Sequence, residues 1–76
     1  MAQIQQVAVI GAGTMGRGIA QVAALAGYQT ILEDLLPDAL RRAESEIRAN
    51  LEKGVELGKV TAADAGAAIT RLKFAG

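Results

Sequence analysis

Apolar and polar positions along this chain fall into pieces of alternating period. Residues 7–10, Val-Ala-Val-Ile, form a short unbroken apolar run rich in β-branched side chains, the pattern of a strand covered on both faces, as in a parallel sheet. Ile19, Val22, Ala23 and Ala26 then recur at spacings of three and four. That predicts a helix burying this face, with the small Ala20 and Ala24 beside it, and Gly27 ends it as the residue after the cap. A second β-branched run, Thr30, Ile31 and Leu32, closes on the acidic pair Glu33 and Asp34. Pro37 suits the first turn of a helix, where its missing N–H is harmless. Leu40, Ala43, Ile47 and Leu51 make that helix amphipathic over 37–53, with Gly54 and Gly58 loosening its end. "TAAD" at 61–64 reads as a capping box opening a shorter helix to about residue 70, and residues 72–75 make a third strand.

Strand, helix, strand, helix, strand implies a parallel sheet, because parallel neighbours need a crossover and a helix supplies it. Composition narrows what such a sheet does. Half of the 76 residues are apolar, 51%, so the chain folds, but with one Tyr, one Phe and no Trp its core must be built from Ala, Val, Ile and Leu. Eight basic residues balance eight acidic ones, which leaves no positive field for nucleic acid or an anionic membrane. Cysteine and histidine are both absent, excluding disulfides, thiol chemistry and the zinc sites built on those ligands. The leading "MAQIQQ" has neither the charge of a signal peptide nor the length of a membrane span. A cytoplasmic chain with no membrane and no nucleic-acid partner is the expectation.

Between the first strand and the first helix stands "GAGTMG", a G-x-G-x-x-G spacing. In this context Gly11 permits the tight turn out of the strand, Gly13 lets backbone approach a pyrophosphate, and Gly16 lets the helix pack close to the sheet. Helix N–H groups and the helix dipole then favour phosphate. The fingerprint also demands an acid about 20 residues on, at the end of the next strand, to accept hydrogen bonds from the adenosine ribose. Asp34 stands there, and with Glu33 beside it the local charge favours NAD over NADP. The same glycines also serve a tight turn with no ligand. Asp34 also suits an ordinary acidic position ahead of a helix, and Arg17 reads as solvated.

"VAVIGAGTMGRGIAQVAALAGYQTILED" resembles the start of the L-3-hydroxyacyl-CoA dehydrogenases, the 3-hydroxybutyryl-CoA enzymes among them, and the likeness continues through "LEKGVELGKVTAADAGAAITRLKFAG". The resemblance implies a Rossmann domain that binds NAD and a reaction moving hydride between C3 of a 3-hydroxyacyl-CoA and the cofactor. Carried onto this chain, Gly11, Ala12, Gly13, Thr14, Met15 and Gly16 match the phosphate turn and Asp34 the ribose acid. Lys53, with Lys59 as a second, falls where the family places contacts to CoA. Glu33 departs from the family, which more often carries an uncharged or basic residue there. The family's general base is a histidine paired with glutamate, and this sequence has no histidine; losing such a base alone costs roughly 10²- to 10⁴-fold.

The expectation is therefore the first βαβα(β) half of a Rossmann-type α/β domain, residues 1–76 with no second domain, binding nucleotide weakly and not catalysing alone. The acyl-CoA substrate would engage only the full-length parent. Two other readings stay open: a different Rossmann dehydrogenase, such as a 3-hydroxyisobutyrate type, and a non-catalytic nucleotide-binding or assembly module. In the strand order 3-2-1, right-handed crossovers put both helices on one face, leaving the other face and the outer edge of the first strand bare. At about 25 cal/mol per Å², leaving some 400 Å² uncovered forgoes roughly 10 kcal/mol. A homodimer through that face or edge is the expectation that follows.

Overall fold

Right-handed crossovers can place successive strands side by side only if each helix returns the chain to the end where it began. The computed structural model, which describes residues 6–76, has that form. The leading residues 1–5, read above as carrying no signal segment, lie outside the described residues. The elements run β1 (Gln6–Ile10), α1 (Thr14–Leu25), β2 (Gln29–Glu33), α2 (Pro37–Glu56), α3 (Ala62–Arg71) and β3 (Leu72–Ala75). All three strands lie in one parallel sheet ordered β1-β2-β3.

Register explains the layering. Val7, Thr30 and Leu72 stand abreast, as do Val9, Leu32 and Phe74, and both rows face the helices. Val9 and Leu32 join Ala20, Ala24, Ala43, Ile47, Leu51, Ala65 and Ala68 in the core, with Val7, Leu72 and Phe74 packed against it. The one buried polar side chain among the described residues, Thr30, satisfies itself by donating from Oγ1 to the Tyr28 carbonyl at 3.0 Å. Alternate residues point the other way, where none of the described helices lies: Ala8 is exposed and Ile10 keeps 76% of its surface. The half-Rossmann expectation, with both crossovers on one face, is what the structure shows.

Helix ends follow local sterics. After α1, Gly27 takes φ +107°, its N–H donates to the Ala24 carbonyl, and the Tyr28 N–H donates to that of Ala23, a Schellman closure that satisfies otherwise orphaned carbonyls. After α2, Gly58 does the same at φ +72°, with its N–H donating to Val55 and that of Lys59 to Gly54. α2 therefore runs through Gly54 to Glu56 rather than loosening at Gly54, and the added turn brings Val55 against the core. Thr61 caps α3, its Oγ1 accepting the Asp64 N–H at 3.0 Å.

One expectation is corrected. The face of α1 turned inward is Ala20 and Ala24, both fully buried, while Ile19 and Val22 keep 50% and 68% of their surface and Ala26 is exposed. The cause is distance: α1 lies so close to the sheet that only glycine and alanine fit between them. A Cβ on Gly16 would lie 1.8 Å from the Gly11 carbonyl oxygen. The bulkier residues turn outward and line an apolar groove of about 630 Å³ with Val7, Met15 and Tyr28.

Candidate functional site

The β1–α1 turn is held from two sides. Gly11 takes φ +100°, a region that L side chains avoid, and its N–H donates to the Glu33 carbonyl at 2.7 Å. Next, the Ala12 N–H donates to Asp34 Oδ2 at 2.8 Å. Asp34 Oδ1 accepts the Leu36 N–H at 2.9 Å, and the Asp34 backbone N–H donates to the Ala75 carbonyl at 3.1 Å. Donation from Ala12 first, and then from Leu36, holds the Asp34 carboxyl below its ordinary value of 3.8, with desolvation opposing. Asp34 is thus an anion at neutral pH, seated where β1, β2, β3 and α2 converge.

Among the described residues, α1 starts without an internal partner for its positive end. Gly13 is its N-cap, no side chain caps it, and no acid stands in its first turn. The other helices differ, with Asp38 in the first turn of α2 and both Thr61 and Asp64 at the start of α3. Gly13 has an ordinary φ of −71°, and a Cβ built on it meets nothing within 4 Å. Its lack of a side chain therefore serves neither strain nor internal packing and leaves open space before unpaired helix N–H groups. That is the arrangement a phosphate anion fits. Beside it, Ile10, Glu33, Asp34, Leu35 and Gly76 line a shallow pocket of about 130 Å³ at the carboxyl ends of the strands.

The structure brings the glycine turn and Asp34 together, but the residues of "GAGTMG" do not share one role. Gly11 supplies the bend, Gly16 the close approach and Gly13 the open front, with Thr14 and Met15 exposed. Ala12 is 2% exposed and its N–H is taken by Asp34, so it belongs to the wall of the site. Lys53 and Lys59 stand apart. Lys53 lies 16 residues beyond Pro37 on α2, about 24 Å along the helix from the end that Leu36 and Asp34 adjoin, and Lys59 sits in the exposed α2–α3 turn. Leu36, whose N–H holds Asp34, was not singled out from sequence, although "DLLP" has the form of an Asx turn entering a helix at proline. Among the described residues no group of three acidic, histidine or cysteine side chains is placed to hold a metal, and no helix is long and apolar enough to cross a membrane.

A parallel βαβαβ sheet with a glycine turn opening onto a helix start, and an acid at the end of the second strand, defines a dinucleotide-binding half of Rossmann type. Residues 6–76 match the family model described as 3-hydroxyacyl-CoA dehydrogenase, NAD binding domain. The chain belongs to that family, and NAD is the cofactor of the domain it matches. It is 49% identical over 72 residues to a 3-hydroxyadipyl-CoA dehydrogenase of Escherichia coli (strain K12), covering 95% of this chain and 15% of the relative. Its fold superposes on a 3-hydroxybutyryl-CoA dehydrogenase of E. coli K12 with TM-score 0.92 at 46% identity, covering 96% of this chain and 16% of that one. With an (S)-3-hydroxybutyryl-CoA dehydrogenase of Ralstonia eutropha the TM-score is 0.89 at 33% identity, over 95% and 25% of the two chains. The chain spans 15% to 25% of the length of these relatives.

Proposed function

We propose that residues 1–76 form the first half of the NAD-binding domain of a dehydrogenase acting on a 3-hydroxyacyl-CoA, and that this half grips the adenosine diphosphate side of the cofactor. One observation carries the reading: the uncapped start of α1 opens onto empty space at Gly13 while Asp34, tied to the same turn, presents its carboxylate beside it. In that reading the N–H groups of Gly13 and Thr14 face the diphosphate, and Asp34 accepts from the ribose hydroxyls through the lone pairs that Ala12 and Leu36 leave free. NAD, when bound, supplies the hydride acceptor for oxidation at C3 of the hydroxyacyl group. A chain with no histidine carries no imidazole to take the hydroxyl proton, so these residues bind and orient without catalysing. Lys53 and Lys59, exposed at the far end of α2, are the positions proposed to meet the CoA portion of a substrate in the longer parent. A cytoplasmic setting goes with this reading.

Fluorescence titration of the 76-residue chain with NADH, NADPH and AMP tests it. AMP and NADH should bind with similar, weak affinity, and NADPH about tenfold more weakly, because its 2′-phosphate meets the Asp34 carboxylate. Equal affinity for NADPH and NADH would refute the role given to Asp34.

The bare side of the sheet supports a homodimer. Ala8 and Ile10 are exposed there, β1 is an edge strand among the described residues, and the outward stripe of α1 formed by Met15, Ile19 and Val22 lines an apolar groove with Val7 of β1. A two-fold axis parallel to β1 sets two such strands side by side with their helices on opposite faces. Sedimentation at micromolar concentration should show a dimer, and a clean monomer would refute the pairing.

A further inference from the structure

We infer that Asp34 has a second task, as the positioning residue of the phosphate turn: by accepting the Ala12 and Leu36 N–H groups at once, it sets that turn for a diphosphate whether or not a ribose is present. The inference rests on the reading that the turn holds diphosphate, and it adds that the ribose acid is also the brace of the phosphate site.

The geometry supports this in three ways. First, the two amides entering the turn are both anchored at the end of β2, Gly11 to the Glu33 carbonyl at 2.7 Å and Ala12 to Asp34 Oδ2 at 2.8 Å. The amides that follow, from Gly13 into the first turn of α1, take no part in that anchoring. Second, Asp34 is itself immobilised, by its N–H to the Ala75 carbonyl at 3.1 Å and by Leu36 at the start of α2. A brace must be tied at its far end to work, and this one is tied to β3 and α2. Third, the chemistry needs a carboxylate. Two N–H donors arrive on two different oxygens; an asparagine offers one oxygen and one NH₂, so one backbone donor would face another donor. A ribose contact alone imposes no such requirement, since an amide oxygen also accepts from a hydroxyl.

The two roles predict opposite signs for a ligand with no sugar. If Asp34 serves only ribose, removing its negative charge relieves repulsion and inorganic pyrophosphate binds equally well or better. As the brace, its loss disorders the turn and pyrophosphate binds worse. Glu33 provides the charge control, being exposed and carrying the same charge one residue away.

The experiment titrates the ¹⁵N-labelled 76-residue chain with inorganic pyrophosphate and, separately, with NADH, comparing wild type, Asp34→Asn and Glu33→Gln. The expected result is pyrophosphate affinity about tenfold weaker in Asp34→Asn and unchanged or tighter in Glu33→Gln, with far-UV circular dichroism alike in all three. Pyrophosphate binding Asp34→Asn as tightly as wild type, while NADH binds it worse, overturns the brace and leaves the ribose role standing. Wild-type chain that binds neither ligand overturns the diphosphate reading itself. Should Asp34→Asn fail to fold, wild type carries the test: the Ala12 amide proton, and with it the Gly13 and Thr14 amides, should shift with the midpoint of the Asp34 carboxyl titration. Amides indifferent to that titration overturn the brace.

Discussion

Gly16→Ala is the substitution for which the structure dictates the largest and most specific effect. The added methyl carbon would lie 1.8 Å from the Gly11 carbonyl oxygen and 3.0 Å from its carbon, where an ordinary contact needs 3.4 Å or more. Roughly 1.5 Å must therefore be found by moving atoms that have settled at van der Waals contact. The obstructing atoms are backbone and have no rotamer in which to swing aside. The peptide carrying that carbonyl is pinned on its other side, where the Ala12 N–H donates to Asp34 Oδ2 at 2.8 Å. Overpacking of this kind costs typically 1–3 kcal/mol, and breaking that hydrogen bond adds about 1 kcal/mol, so a loss of about 3 kcal/mol or more is expected. A chain of 76 residues has only about 4–11 kcal/mol of total stability. With m near 1.5 kcal/mol/M, the urea midpoint read by far-UV circular dichroism should fall by about 2 M. Two other glycines on the same stretch serve as internal controls. Gly18, in the helix interior with nothing within 4 Å, should gain about 0.5–1 kcal/mol as alanine. Gly13→Ala should cost no more than about 1 kcal/mol of stability, alanine being a poorer N-cap than glycine, while abolishing NADH binding, because the methyl stands where diphosphate must come. A Gly16→Ala chain with the wild-type urea midpoint would refute the close approach of α1, and Gly13→Ala retaining NADH would refute the phosphate site.

Two further outcomes follow from single contacts. Because the Asp34 pKa is depressed below 3.8 in the folded chain, its contribution to stability is complete above the unfolded value and is lost as pH falls through the folded one; acid unfolding followed by circular dichroism should therefore flatten below pH 4 in Asp34→Asn, and an unchanged acid limb would show the carboxylate to be uncoupled from the fold. Thr61→Ala removes the Oγ1 that caps α3 and should lower stability by about 1 kcal/mol, measured by urea denaturation, whereas Thr61→Ser should cost a few tenths.

The Rossmann half was legible because its signals are local. β-branched runs, the proline at the first position of α2, the glycines that close α1 and α2, and "TAAD" each act within a few residues of themselves, and each stands where the chain places an element boundary. The glycine spacing and the acid about 20 residues on were legible for a related reason: they report a constraint on backbone approach that few other residue types satisfy. On α1 the local signals run out. Hydrophobic periodicity finds the larger side chains and assigns them inward, and on α1 that points to Ile19 and Val22, which the structure leaves exposed.

The sequence by itself determined the order of elements, the bend at Gly11, the open front at Gly13 and the presence of a carboxylate at the end of β2. Only the tertiary structure decided that α1 meets the sheet through Ala20 and Ala24, and that the Ala12 N–H is spent on Asp34 22 residues away. The physical reason is that propensity, capping and backbone sterics are properties of neighbouring residues, whereas which face lies inward depends on how closely two elements approach. That distance is set by every side chain between them at once, so it exists only when the sheet and helices are assembled.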